Sequence, residues 1–409
     1  MPIWSNFKCL FEVIFKIIKK LLTQRYGDTT VNLMDHDALG DGITRDDVID
    51  IINIIKDKVP DSVLDKTMKI ATWNIRNFGG SRDNLHIHYI AEVLSRFDLI
   101  AITELKEDTR DLQKAMKLLG PYWKVIYSDS NMDDKGNHER IGYLYDGRVI
   151  EFTGLAAEAD PIRENFATRE QLIESINSGR DNIINRDEKD ELIEILQGIN
   201  PSEDFPGYIR VKEFRDKIDE NYHSSRPDYA KDLVKRIGEF RETQNWWRSP
   251  YLVSFKAGKF DFVMLAAHIR WGSNLRIHKE RRIKALDKLA DWVKARRELE
   301  HVKDKDMFVL GDFNIPEVND DFWNAITKHD LITHANIASD DHGSGFVEGK
   351  RYDQIFYDTK NEHMIENGGV LNLYPENDDN IYKNMTRHDF EYQISDHFPL
   401  WIQLNIEWK

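Results

Sequence analysis

The chain has almost no cysteine. Cys9 is the only one in 409 residues, which excludes an intramolecular disulfide, a Cys-rich zinc site and a dithiol redox pair, and suits a reducing compartment. Long apolar runs are also missing, since nothing approaches the roughly 18 uninterrupted residues that a bilayer-spanning helix needs. The nearest is the N-terminal stretch MPIWSNFKCLFEVIFKIIKKLL, where Lys8, Glu12, Lys16, Lys19 and Lys20 break up the apolar text and lie off the face made by Ile3, Phe7, Leu10, Phe11, Ile14, Ile17, Ile18 and Leu21. No small-residue cleavage site follows it, so the sequence argues against a secretory signal and for a cytoplasmic protein. As a basic amphipathic helix it suits an anionic membrane surface or a protein partner, and equally a seat on the chain's own body. Excess positive charge is absent as well: a net charge of −15 argues against a broadly basic coat for nucleic acid and leaves a local cleft as the place to grip phosphate. No internal repeat, low-complexity tract or Gly/Ser linker interrupts the chain.

What is present is ordinary globular text. With 41% hydrophobic and 11% aromatic residues, the chain can bury one large core, or one core with an added module. Residues 1–65 read as a helical appendage. Within it DHDALGDGITRDDVIDIINIIKDKV, from Asp35, has the acids of a calcium loop, but Gly42 falls where the eighth loop position needs an apolar residue. It reads better as a capped start to a helix running through Ile51, Ile52, Ile54 and Ile55 towards Pro60.

From 66 onwards short apolar runs alternate with amphipathic helices, the pattern of a layered α/β or α+β domain. MKIATWNI, DLIAITEL, WKVIYSD, RIGYLYD, DFVMLAAHI, DMFVLGDFN, YDQIFYD and PLWIQLN read as strands; NLHIHYIAEVLSRF, DLQKAMKLLG and IHKERRIKALDKLADWVKARRELE read as helices. Between about 157 and 245 charged helical text such as REQLIESI, KDELIEILQGI and YAKDLVKRIGEFRE forms an insertion, either a functional rim or a decorative subdomain.

Polar residues recur where the strands end. Asn74 follows one strand and Glu104 another; His268 closes a third, and Asp312 and Asn314, two apart, are expected on one face of an extended fourth. Asp396 and His397 stand together in QISDHFPL. Singly, Asn74 reads as a turn residue, GDFN as a turn and His268 as a structural histidine. Together they supply carboxylates for a divalent ion, amides to hold an oxygen and imidazoles to move protons, with no Ser or Cys nucleophile in evidence. That combination points to metal-assisted attack of water on phosphate.

Eight stretches appear in one order: TWNIRNFG, ITELKED, NHERIGYLY, RSPYLVSF, AAHIRWG, LGDFNIP, YDQIFY and ISDHFPL. In them the sequence resembles the endonuclease/exonuclease/phosphatase superfamily, in particular its deoxyribonuclease I-like branch, from about Lys69 to the C-terminus, leaving out the insertion. The resemblance implies an α+β fold, a four-layer α/β/β/α sandwich of two mixed sheets flanked by helices. It implies a metal-dependent phosphodiester hydrolase using Mg²⁺ or Mn²⁺, with DNA as the favoured partner. By the same resemblance His397, oriented by Asp353, is the general base, and His268, oriented by Glu139, the general acid. Asp312 and Asn314 position phosphate and water; Asn74 and Arg248 contact phosphate; Glu104, Asp396, Asn74 and Asp312 hold metal. The superfamily also includes enzymes of small phosphoesters and phospholipid headgroups, and a binding protein on the same fold is a further alternative. Lys106, where the branch favours Arg, and Asn137, where it often has an aromatic residue, are departures, and the missing disulfides argue against a secreted digestive role. The acidic loop SDSNMDDKGNHE reads as a solvated loop or as a place for an accessory Ca²⁺. Trp246 and Trp247, just before Arg248, read as base-stacking or as core residues. Oligomeric state is left open by the sequence.

Overall fold

The computed structural model describes residues 35–130, 138–159, 166–177, 186–201, 207–222, 246, 248–300, 302, 304–346, 349–374 and 385–407. The N-terminal amphipathic helix, most of the acidic loop with Asn137, Trp247 and the helix expected at YAKDLVKRIGEFRE lie outside them. In chain order the strands are β1 (Thr67–Phe78), β2 (Leu99–Lys106), β3 (Trp123–Tyr127), β4 (Glu139–Asp146), β5 (Ile150–Glu158), β6 (Phe166–Thr168), β7 (Tyr208–Arg210), β8 (Tyr251–Ala257), β9 (Phe260–His268), β10 (Met307–Ile315), β11 (Leu331–Ile332), β12 (Arg351–Asp358), β13 (Ile365–Val370) and β14 (Leu400–Asn405). Two compact units divide the chain, Met1–Ala159 with Pro250–Lys409, and Asp160–Ser249.

The first unit holds two six-stranded sheets, ordered β13-β14-β1-β2-β4-β3 and β11-β12-β10-β9-β8-β5. Both are mixed, because β1 and β2 run parallel, as do β9 and β10, while their other neighbours are antiparallel. The period-2 alternation of side chains sorts each strand between two cores. In β2, Leu99 and Ala101 face the inter-sheet core, whereas Ile100 and Ile102 join a second core beneath helices Asn84–Ser95 and Arg110–Leu119. Aromatics dominate the inter-sheet layer: Phe255, Phe260, Phe262 and Phe308 are fully buried and in ring contact. Each such side chain contributes about 1.5–3 kcal/mol of burial free energy. Helices Arg276–Glu298 and Asp321–Thr327 pack on each other in the same unit, with Trp323 edge-on to Phe356 of β12. This unit is a four-layer α/β/β/α sandwich of the α+β class.

Part of the appendage belongs to the same body. Thr44 and Asp47 form a capping box ahead of helix Ile49–Lys58, whose Ile51, Ile52 and Ile55 enter the core under Asn84–Ser95. The acids that suggested a calcium loop are occupied locally: Asp35 accepts from Asp37 N–H and Asp41 from Ile43 N–H. The second unit has its own core, in which Leu172, Ile176, Leu192, Leu196, Ile209, Phe214 and Ile218 join helices Arg169–Asn177, Arg186–Gln197 and Val211–Tyr222 to the β6/β7 pair. Among the described residues no helix is long and apolar enough to cross a membrane.

Register delivers the polar residues to adjacent rungs. Asp312 pairs with His268 of β9 on one side and with Asp353 of β12 on the other. The ladders then shift register between Asn74 and Phe78, between Ile102 and Leu105, and between Asp312 and Ile315. Asn77, Glu104 and Asn314 have φ of 48°, 60° and 52° there. Left-handed backbone at non-glycine residues costs of order 1–3 kcal/mol each and persists only where the surroundings impose it; bulges of this kind re-aim side chains at strand ends.

Candidate active site

The turn carrying His397 is pinned before its ring is placed. The Ser395 hydroxyl donates to the Asn74 carbonyl at 2.6 Å and accepts from His397 N–H at 3.0 Å, while Trp73 Nε1 donates to the His397 carbonyl at 2.9 Å. So anchored, His397 Nδ1 lies 2.6 Å from Oδ2 of Asp353. Asp353 is completely buried, and its own N–H donates to the Ser344 hydroxyl. Burial by itself would lower the proton affinity of His397, but the Asp353 charge and hydrogen bond, with Asp312 and Asp396 beyond, outweigh it and raise the imidazole pKa. The bond to Asp353 leaves Nε2 as the nitrogen available to exchange a proton.

The second imidazole stands between two carboxylates. His268 Nδ1 is 3.3 Å from Glu139 Oε2 and Nε2 is 3.5 Å from Asp312 Oδ2. Lys106 Nζ, 3.1 Å from Glu139 Oε1, adds a cation on the far side of that acid.

Asn74 joins the sheets. Its Nδ2 donates to Glu104 Oε1 at 3.2 Å and, across the sandwich, to Asp312 Oδ2 at 3.1 Å. The left-handed turn at Asn77 aims that residue's N–H at Glu104 Oε2, 2.9 Å away. Burial would raise the Glu104 pKa, but the His268 charge and these two hydrogen bonds hold the carboxyl below its usual range. Asp312 and Asn314 do come together, though not as alternate residues of an extended strand. The left-handed φ at Asn314 breaks the extension, turning its N–H onto Asp312 Oδ1 at 3.0 Å and its side-chain amide onto the Ile269 carbonyl at 2.7 Å.

Asp396 sits towards solvent, its carboxylate 3.2 Å from Arg76 Nη1, and burial raises its pKa against the opposing charges of His397 and Arg76. Arg248 is half-buried in a bend ahead of β8 and belongs to the second unit. Asn74, Glu104, Glu139, His268, Asp312, Asn314, Asp353 and His397 therefore form one continuous network.

A hard divalent cation fits this donor set. Asp312, Asp353 and His397 bring ligand atoms within 4.8 Å of one another. Oδ1 of Asn74, whose Nδ2 bonds Glu104 and Asp312, is buried with no hydrogen-bond partner, a condition that a bound ion relieves. The large pocket of about 640 Å³ lined by Leu112, Met116, Trp123, Val125 and Tyr127 contains none of these residues.

Sequence reasoning passed over the residue that ties the site loops together. Arg82 donates to the carbonyls of Arg76 (2.5 Å), Asn77 (3.2 Å), Gln393 (2.8 Å) and Ile394 (3.4 Å), clasping the segment after Asn74 to the one before His397. Its buried counterion is Asp111, at 3.9 Å. The only signal in the sequence was an arginine five residues past the NIRN motif.

The profile of the Endonuclease/Exonuclease/phosphatase family matches residues 71–397. No curated protein matches the chain. Solved structures similar to it include an endonuclease/exonuclease/phosphatase family protein from Bacteroides thetaiotaomicron, with 14% identity, a TM-score of 0.45, and 84% of this chain and 99% of that one covered. A mannosyl-6-phosphatase from the same organism has 15% identity and a TM-score of 0.44 over 82% of this chain and 99% of that one. D. rerio TDP2 complexed with a single-strand DNA product has 11% identity and a TM-score of 0.43 over 83% and 99%.

Proposed function

The chain belongs to the Endonuclease/Exonuclease/phosphatase family, and from that premise we propose that it hydrolyses phosphodiesters with a divalent cation and that its substrate is DNA. The observation carrying this reading is the convergence of two acid-braced imidazoles on Asp312: His268 directly, at 3.5 Å, and His397 through the Asp353 pair within the same cluster.

His397, with Nδ1 engaged by Asp353, takes a proton from water through Nε2 as the oxygen attacks phosphorus. His268, braced by Glu139, gives a proton to the departing oxygen as the P–O bond breaks, so one proton enters the protein and one leaves it. Asn74 and Asn314 orient oxygens of phosphate and water with their amides. Glu104, Asp312 and Asp396, with Asn74 Oδ1, would hold Mg²⁺ or Mn²⁺, which would supply charge compensation for the phosphate. Each acid–base partner of this kind contributes about 10²–10⁴ in rate.

The test is the purified chain with Mg²⁺, Mn²⁺ or EDTA, assayed on supercoiled plasmid, bis(p-nitrophenyl) phosphate, inositol phosphates and phospholipid headgroup esters. The expected result is metal-dependent nicking of plasmid and turnover of the diester, both abolished by EDTA. Release of phosphate from small monoesters or cleavage of headgroups with plasmid left intact overturns the choice of DNA. Turnover that survives EDTA overturns the metal.

A further inference from the structure

We propose that the segment leaving His268, from Arg270 to the first turns of helix Arg276–Glu298, is a docking surface for the polynucleotide strand that flanks the scissile phosphate. This assignment rests on the reading of the site as a DNA phosphodiesterase and adds to it the surface that tells a polymer from a small ester.

The charge distribution is the first observation. Between residues 270 and 284 Arg270, Arg276, Lys279, Arg281, Arg282 and Lys284 are set against Glu280 alone, in a chain whose net charge is −15. A concentrated basic patch on an acidic protein is an electrostatic footprint for a polyanion, and it lies where the catalytic strand β9 ends. Arg270, Arg276, Lys279, Arg281 and Lys284 are exposed, Arg276 at 92% even with Glu280 2.6 Å from its Nε. Leu275 and Ile277 are 64% and 48% exposed beside them. Apolar side chains among cations suit contact with sugar and base faces between phosphates, which a purely ionic surface does not offer.

The second observation is that the segment is built into the site. Ile269 N–H donates to the Asp312 carbonyl at 2.8 Å, and the Ile269 carbonyl accepts from Asn314 Nδ2 at 2.7 Å. The Ser273 hydroxyl accepts from Leu275 N–H and lies 2.7 Å from His278 Nδ1, fastening the loop to the first helical turn. Gly272 has φ of 70°, and a Cβ there would come within 3.0 Å of the His278 ring, so the bend is specific to glycine. Underneath, the buried Arg282 guanidinium lies 3.9 Å from the Trp271 ring centre; Trp271 meets Tyr352 edge-on at 5.7 Å, and Tyr352 lies 6.0 Å from the His397 ring. The eight residues from His268 to Arg276 can span at most about 29 Å, a distance covered by fewer than about nine nucleotide steps at 3.4 Å per strand.

A lipid surface with anionic headgroups would also attract cations and exposed leucine. The observations favour the polynucleotide, because the patch continues directly from the strands holding His268 and Asp312 and because its cations outnumber its exposed apolar residues.

The experiment compares the parent with the triple variant Arg276→Glu, Lys279→Glu, Arg281→Glu, none of which touches the catalytic network. Three readouts are taken: hydrolysis of bis(p-nitrophenyl) phosphate, cleavage of linear DNA, and binding of fluorescent DNA in EDTA across a salt series. Phosphatidylcholine–phosphatidylserine vesicles provide the competing surface. The variant is expected to keep the parent's rate on the small diester and its melting temperature, while kcat/KM on DNA falls at least about tenfold through KM and the salt slope of binding drops by about three. Unchanged DNA cleavage and salt slope would overturn the proposal, and so would loss of vesicle binding with DNA cleavage intact. A parent that turns over neither ester refutes the hydrolytic reading instead, and the DNA-binding arm in EDTA still tests the surface.

Discussion

Two regions of the sandwich each hold a pair of histidines against carboxylates, and they are chemically unlike. Around Asp312, each imidazole has a carboxylate partner, the backbone on either side is pinned, and the strand ends are bent open by left-handed residues. Under the appendage, His36 and His88 stack on each other with ring centres 5.9 Å apart and planes 12° from parallel. His36 Nε2 lies 3.3 Å from Glu92 Oε1 and His88 Nε2 3.3 Å from Asp41 Oδ2. Burial pushes the Glu92 carboxyl up to about 8 and lowers both histidines, so these groups are held neutral rather than charged. The difference teaches that histidines beside acids do not make a proton-transfer site on their own. What distinguishes the Asp312 region is that the Asp353 charge and hydrogen bond outweigh burial and raise the proton affinity of His397, whereas burial prevails at His36 and His88 and lowers theirs.

The largest effect should separate the two regions cleanly. His397→Ala is expected to lower hydrolysis of bis(p-nitrophenyl) phosphate by about 10²–10⁴. His88→Ala, in the other region, should leave the rate within about twofold while lowering the melting temperature, because it opens space in a packed core. Equal losses of activity in the two variants would erase the distinction.

A smaller effect tests how the Asp312 region is held. Arg82→Lys keeps a cation beside Asp111 but cannot reach four carbonyls on two segments. Its kcat is expected to fall by about ten- to a hundredfold, equivalent to about 1.4–2.7 kcal/mol, with KM for the small diester nearly constant. A fall confined to KM would mean that the clasp serves binding and not alignment.

The smallest effect belongs to the appendage side. Because the folded pKa of Glu92 is raised, the folded chain keeps a proton that the unfolded chain releases, and stability is lost as pH rises from about 4.5 to about 8. Glu92→Gln should therefore melt like the parent at about pH 5 and a few degrees higher at about pH 8, a gain of about 1–2 kcal/mol. Equal melting temperatures at both pH values would show that Glu92 is ionised in the folded protein, bringing the two regions closer in character.

Much of this molecule was legible from periodicity. The unbroken apolar run in DLIAITEL suits a strand buried on both faces, and the structure sorts Leu99 and Ala101 from Ile100 and Ile102 accordingly. The polar residues closing those strands stood out because a carboxylate or imidazole after an apolar run is expensive unless partnered. The mode of presentation was not legible. Glycine and asparagine signal left-handed backbone, but the φ of 60° at Glu104 is imposed by the bulge opposite β4 and by the bonds its carboxylate receives. Arg82 was invisible for a related reason: its partners are carbonyls, which every residue has, and two of them are more than 300 positions away.

The sequence by itself determined the central strands of both sheets and which of their ends carry acids, amides and imidazoles, because those features follow from local apolar runs and the cost of burying charge. Only the tertiary structure decided that Asn74 reaches across to Asp312, that Asn314 turns its N–H back onto Asp312, and that burial lowers the proton affinity of the stacked His36 and His88. Such pairings depend on register and sheet packing between residues distant along the chain, and no local pattern encodes them.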